Sequence, residues 1–519
     1  MEATAVVQVL ARIDSWLDTM RGTDGYGGPV AHWWQNCLQF TGAGLDWRYE
    51  GLITGYLTLH ERTGQSEWLA KARRAGDDLL SGQLPGGTYR NSSFELNPYS
   101  GGTPHEAAAD LALLHLAEAL RERGDHGPAA AGRTPSTAAS PAAVPSGRDG
   151  RRVPSWRDGV PIRQPTGRST SWRTYLQAAE ANLRGYYVGT LWDEQAQSFR
   201  DHPRFPSFVP NKSATLVEAL LKLAALSGDE EWAERYARPT LQAVLAHQVS
   251  GGDLDGAIEQ ASQNGRRAGR YFPYYNARCV PGLVAGYEWS RDERLLDAAR
   301  RAMAFVLRWR YEDGSFPQVV YAGGRVNRYP QWIAAVGDIL RALDLLRPYG
   351  LDADFEPTRR WLLQGQMPTG AFRTAHGFGS QISQRPPGVL PEFRDLLPVC
   401  GWVDKAFRWM AEDVKRETGN VKREAEDVKR ETGNVTREAE NGKREAGNGR
   451  REAEGAQNAK REAGNVEGEY EAECTLRGER VLYREDAAVI ELRSSGQAMY
   501  RWQKGQPWAE VCAEELLWK

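Results

Sequence analysis

The chain has no run of 18 apolar residues, so nothing in it predicts a membrane-spanning helix. Cysteine is scarce. The five cysteines (Cys37, Cys279, Cys400, Cys474 and Cys512) are scattered, odd in number and form no CxxC pair, which argues against a disulfide framework or a zinc knuckle. Neither sign of charge prevails, with 66 Lys and Arg against 68 Asp and Glu. No basic excess points to a nucleic-acid partner, and no acidic excess to a solvating tail. The opening MEATAVVQVLARIDSWLDTM lacks a basic region followed by an apolar core; it reads as an amphipathic helix, so a soluble, cytoplasmic protein is expected. GxGxxG, Walker, HExxH and GxSxG signatures are missing from any supporting context, so no cofactor and no metal are expected.

What the chain does have is aromatic side chains, including 18 Trp and 20 Tyr. They can fill a core, and they also suit a pocket that stacks flat ligands or sugar rings. Two stretches stand apart from any packed core. Residues 121–170 are rich in Pro, Gly, Ser and Arg without an apolar period, which predicts a disordered insertion. Residues 411–469 repeat every seven residues, but with one apolar position per heptad (Val414, Val421, Val428, Val435) that decays to Gly442 and Gly449. A coiled coil needs two such positions, so this predicts a charged linker.

The rest of the chain is a repeat. A small turn that ends in a large apolar residue recurs at Tyr26, Tyr89, Phe199, Ile258, Phe316 and Phe372, about every 60 residues once the insertion is set aside. A helical pattern with one polar face precedes each turn, and a more apolar pattern studded with small residues (Gly51, Gly55, Ala107, Ala108, Gly282, Gly286, Ala334, Gly337) follows it. Helices apolar on most sides are buried, so six outer and six inner helices are predicted to close an (α/α)6 toroid over residues 1–410. Residues 470–519 change to an alternating pattern broken by Gly and acid pairs, which predicts a small β appendage.

With its six hairpins the chain resembles the six-hairpin glycosidases, the N-acylglucosamine epimerases and several polysaccharide lyases. The run WLLQGQMPTGAFRT is similar to the Gln/Trp repeats of terpenoid cyclases, but their DxDD acid motif is absent and DLD at 253–255 lacks its last Asp. The resemblance implies a funnel at the starting ends of the inner helices, and a carbohydrate-active protein of glycoside hydrolase or uronate lyase/epimerase type. A terpenoid cyclase or a non-catalytic glycan- or peptide-binding toroid are the alternatives.

Candidate residues follow from that position. Aligning the first two inner helices by their ends sets Asp46 opposite Glu106 and Glu50 opposite Asp110, an acid pair at i, i+4 on each. Packed helices lie ~8–10 Å apart, so such pairs could reach the ~5–9.5 Å separation of paired acids in glycoside hydrolysis. Acids in a first turn are also favoured simply by the exposed N–H groups there. His32, Trp33 and Trp34, with Trp47 and His105, are candidate sugar-binding residues. Lys212 could bind an acidic sugar. Tyr274, Tyr275 and Arg278 offer phenols for proton transfer and a guanidinium for a carboxylate, as uronate chemistry requires.

Overall fold

The computed structural model describes residues 3–31, 38–41, 43–92, 102–124, 170–413, 469–476 and 478–505. The expectations for 121–170 and 411–469 fall mostly outside these residues. Among the described residues, twelve α-helices of nine residues or more alternate between two layers. The outer layer holds α1 (Ala3–Met20), α3 (Ser66–Ser81), α5 (Trp172–Asn182), α7 (Arg238–Ala246), α9 (Glu293–Arg308) and α11 (Glu356–Gln364). The inner layer holds α2 (Arg48–Thr63), α4 (Glu106–Glu122), α6 (Pro210–Ser227), α8 (Pro273–Ser290), α10 (Val336–Leu346) and α13 (400–413), with a single turn, α12 (Phe393–Leu396), before the last. The layers differ as the patterns predict: α9 buries one stripe, from Leu295 to Val306, whereas α4 buries nearly every position from Glu106 to Leu120.

Small residues let the inner helices touch backbone to backbone. A Cβ on Gly282 of α8 would lie 2.3 Å from the Ala214 carbonyl of α6. On Gly51 of α2 and Gly337 of α10 it would lie 2.4 Å from the carbonyls of Asp404 and Lys405. The last inner helix therefore wedges between the first and the fifth, and the ring is closed.

The six turns share one construction. Tyr26, Tyr89, Phe199, Ile258, Phe316 and Phe372 are all buried, between 0% and 5% exposed. Four of the turns place a left-handed glycine against the next outer helix. A Cβ on Gly87, Gly256, Gly314 or Gly370 would lie 2.1–2.4 Å from the carbonyl of Ala181, Arg301, Pro357 or Arg12. Only a residue without Cβ fits both the conformation and the contact. Three turns add a glutamine whose amide bonds both the turn's own glycine carbonyl and the neighbouring helix: Gln83 to Gly87 and Ala178, Gln248 to Gly256 and Ala298, Gln366 to Gly370 and Val9.

The C-terminal segment is a four-stranded antiparallel sheet of β1 (Tyr470–Leu476), β2 (Glu479–Glu485), β3 (Val489–Ser494) and β4 (Gln497–Gln503), while the strands described in the ring's connections are short ribbons of two to four residues. It packs on α1. Buried Glu485 accepts from the Trp16 indole at 2.8 Å and pairs with Lys504 at 2.7 Å, so the carboxylate is satisfied although it faces no water.

Candidate functional site

The pit opens where the inner helices begin. Each helix starts just after its turn, so the turns set which residues reach the mouth. Trp47 leads into α2, His105 into α4, Asn211, Lys212 and Thr215 stand on the first turns of α6, Tyr274, Tyr275 and Arg278 on α8, and Trp402 and Lys405 on α13. They surround about 520 Å³ of space. One wall is aromatic: Trp47 meets Trp402 edge to face at 4.6 Å between centroids, Trp402 meets Tyr274 at 5.5 Å, and Trp332 lies behind it at 4.9 Å. Gly401 makes room, since a Cβ there would lie 2.8 Å from the Trp47 ring.

The floor is ionic. Arg278 grips Glu50 with both ends of its fork, at 3.1 and 3.0 Å, and donates to the Thr215 hydroxyl at 2.9 Å. Arg408 bonds Glu50 and Asp338 from the opposite side, and the Tyr274 hydroxyl donates to Asp338 at 3.0 Å. Lys405 pairs with Asp404 at 2.6 Å and donates to the Trp47 carbonyl at 3.0 Å. Burial would push the Glu50 carboxyl up, but Arg278, Arg408 and Lys405 reverse this and hold it well below the usual carboxylate range. Asp338 is lowered in the same way, burial being overcome by Arg408, Arg278 and Lys405. Asp404 goes the other way: burial outweighs Lys405 and pushes it up to about 7. The cations Arg278, Lys405 and Lys212 line the pit, while Glu50, Asp338 and Asp404 stand behind them. The described lining contains no carboxylate.

The candidate residues divide accordingly. Trp47, His105, Lys212, Tyr274, Tyr275 and Arg278 come together in the pit. His32, Trp33 and Trp34 lie outside the described residues. None of the four candidate acids lines the pit, and each has its own buried partners. Asp46 is held by Arg48 at 2.8 Å. Glu50 is the counter-ion of Arg278 and Arg408. Glu106 accepts from the backbone of Tyr89 and Gly102 at 3.1 and 2.8 Å, from Asn182 at 2.6 Å and from Ser92, so it staples the second turn in place. Asp110 accepts from the Tyr89 hydroxyl at 2.7 Å. Arg278 has likewise spent its fork on Glu50 and is no free clamp. Lys212 pairs with Asp201 at 2.9 Å and keeps 22% of its side chain exposed.

Asn211, Thr215, Asp338, Trp402, Lys405 and Arg408 were not picked from the sequence. A signal existed for three of them: Trp402, Lys405 and Arg408 sit in PVCGWVDKAFRWM, a helix too apolar to carry charge without an internal partner. Among the described residues no cluster of His, Cys, Asp and Glu could hold a metal ion, and no helix is long and apolar enough to cross a membrane.

No protein-family model matches the chain, and no curated protein matches it. Solved structures do. The chain is similar to cellobiose 2-epimerase from Bacillus thermoamylovorans, at TM-score 0.54 and 10% identity over 80% of this chain and 99% of that one. It is similar to a D-mannose isomerase, at TM-score 0.54 and 10% identity over 80% and 97%. An unsaturated glucuronyl hydrolase specific for heparin aligns at TM-score 0.52 and 11% identity over 80% and 97%. The architecture is therefore that of an (α/α)6 toroid. At these identities the likeness is one of fold.

Proposed function

We propose that the protein is carbohydrate-active, takes an acidic sugar into the pit, and moves a proton at the carbon beside the sugar's carboxylate, as a uronate lyase or epimerase does. One observation carries this reading: three cations line the pit, while the carboxylates they pair with, Glu50, Asp404 and Asp201, are not among its lining residues. A sugar carboxylate lying over Lys405 and Lys212 is stabilised, and so is the negative charge that builds on it when the neighbouring C–H is broken. Trp47 and Trp402 offer a ring-stacking wall. Tyr275, whose ring meets Tyr274 at 5.4 Å, and His105 are the groups at the mouth suited to proton transfer.

In elimination the C5 proton passes to the base, the C4–O4 bond breaks, the departing oxygen takes up a proton, and a C4=C5 double bond forms. In epimerisation the proton returns to the opposite face and no bond to oxygen breaks. Hydrolysis by paired acids is less well supported, because it needs two carboxylates on the pit wall. A cationic pit also disfavours isoprenoid cyclisation, which builds positive charge on its substrate. The sugar-acting neighbours of the same fold support a sugar as the ligand.

The test is to incubate the chain with a panel of oligouronates. Elimination creates an ultraviolet chromophore, and proton NMR reveals inversion at C5. Tyr275→Phe is expected to lower kcat by ~10²–10⁴-fold with KM little changed. Sugar binding without either product on the whole panel would make the pit a lectin-like binder and overturn the proposal.

A further inference from the structure

The ring has a second opening. At the far ends of the inner helices, Thr58 and His60 of α2, His115 of α4, Arg341 of α10, and Arg408 and Glu412 of α13 surround about 1020 Å³ of space open to solvent. An ion-pair layer of Glu50, Arg278, Asp338 and Arg408 joins it to the pit: Arg278 lines the front, Arg408 lines the rear, and both hold the same two acids.

Three side chains of the rear cavity keep polar atoms that have no hydrogen-bond partner. Arg408 is 2% exposed at its side chain, and its Nε meets no acceptor. Arg341 is 15% exposed, and neither its Nε nor its Nη1 has one. His60, 6% exposed, places Nδ1 2.6 Å from the Gln65 carbonyl. A carbonyl only accepts, so in the neutral imidazole Nδ1 carries the proton and Nε2, which has no partner, presents a lone pair. Three cationic N–H groups thus lack acceptors and one acceptor lacks a donor, an arrangement that is unfavourable unless something else supplies them. The nearby acids leave those atoms unbonded: Glu412 forms only a long ion pair with Arg341 Nε, at 3.6 Å, Glu118 is taken by Lys222 at 2.8 Å, and Glu61 and Glu122, which also line the space, and Glu218 beside it make no hydrogen bond to Arg341 or Arg408. His115 reports the same field: burial first, then Lys222 and Arg341, hold it down at about 3.

We infer that the rear cavity is a second binding site, for a small oxyanion that also carries an O–H, its oxygens bridging Arg341 and Arg408 and its hydroxyl serving His60. Hydrogen phosphate and a sugar carboxylate share that chemistry, whereas sulfate lacks the hydroxyl. The site does not depend on what the pit binds.

Calorimetric titration of the whole chain at constant ionic strength, with inorganic phosphate, glucuronate and sulfate in turn, tests this. One ion is expected to bind in the Arg341-dependent step, read for glucuronate in the Lys212→Met background so that the pit does not contribute, with phosphate or glucuronate tighter than sulfate; whichever of the first two binds tighter there identifies the natural source. Arg341→Met should weaken binding at least tenfold while the ligand-free thermal midpoint and circular dichroism stay as in the wild type. His60→Phe should erase the preference over sulfate. Lys212→Met, on the front face, should bind phosphate as the wild type does. Equal affinities in wild type and Arg341→Met, or no binding of any of the three ions, overturns the site. So does a phosphate-soaked crystal with only ordered water between Arg341 and Arg408.

Discussion

At the scale of single residues, Glu50 has the most partners in the centre of the ring. It is fully buried, receives both arms of Arg278 and one of Arg408, and has Lys405 at 3.6 Å. Glu50→Gln keeps the shape and removes the charge, leaving two buried guanidinium groups short of a counter-ion. Breaking a buried pair from one side costs about 3–5 kcal/mol, and urea unfolding of the variant should show a loss of that size. A change below ~1 kcal/mol, the worth of an exposed ion pair, would contradict this role. Residues at the mouth were legible because position narrows the choice: among the residues that start the inner helices, Tyr274, Tyr275, Lys212 and Trp47 face the funnel. The acids were not legible in the same way. Spacing along one helix says which residues share a face, but not that Arg278 and Arg408 arrive from two other helices to claim Glu50.

At the scale of elements, the turn glycines carry two constraints that can be separated. Gly350 ends its short helix at φ 85° with nothing within 4 Å of a Cβ. Gly370 has nearly the same φ, 92°, but its Cβ would lie 2.2 Å from the Arg12 carbonyl. Gly350→Ala therefore adds backbone strain alone, roughly 1 kcal/mol or a little more, whereas Gly370→Ala should approach ~3 kcal/mol. Equal effects in thermal unfolding would mean that the contact between turn and helix carries no weight. The third turn makes the complementary case: it uses Gln197 at φ 50° instead of a glycine. The period was readable in the sequence because six copies of one joint must meet one geometric demand. The glutamine clamps at Gln83, Gln248 and Gln366 escaped notice because their partners lie on the next repeat.

At the scale of the whole molecule, stability responds to pH through the centre of the ring. Asp404 sits near 3.8 in the unfolded chain and is pushed up to about 7 by burial, Lys405 only partly offsetting this. The folded state thus holds a proton that the unfolded state has lost, so this group's contribution is complete below pH ~4 and disappears as pH rises towards 7, by up to ~1.4 kcal/mol per pH unit. Comparing wild type with Asp404→Asn in urea between pH 5 and 8 isolates the effect: the variant's unfolding free energy should fall less steeply with pH. Parallel curves would show that Asp404 titrates normally. The closed double ring was legible from helix count and period, whereas the sheet's seat on α1 was not, since nothing in the pattern of either segment announces that Trp16 and Glu485 meet.

Gly505, at the end of the sheet, lies beside the carbonyl of Arg21, where α1 ends. From there to Ala3 is the length of one 18-residue helix, ~27 Å at ~1.5 Å per residue. Residues 506–519 are long enough to bridge it, at ~3.3 Å per residue when extended. α1 is also clasped from both flanks, by the Gly370 turn on one side and by the Lys71–Asp14 pair at 2.6 Å on the other. A circular permutant that joins Lys519 directly to Met1 and opens between residues 124 and 170 should therefore fold without an added linker and melt within a few degrees of the parent, because a closed necklace of hairpins does not care where its string is cut.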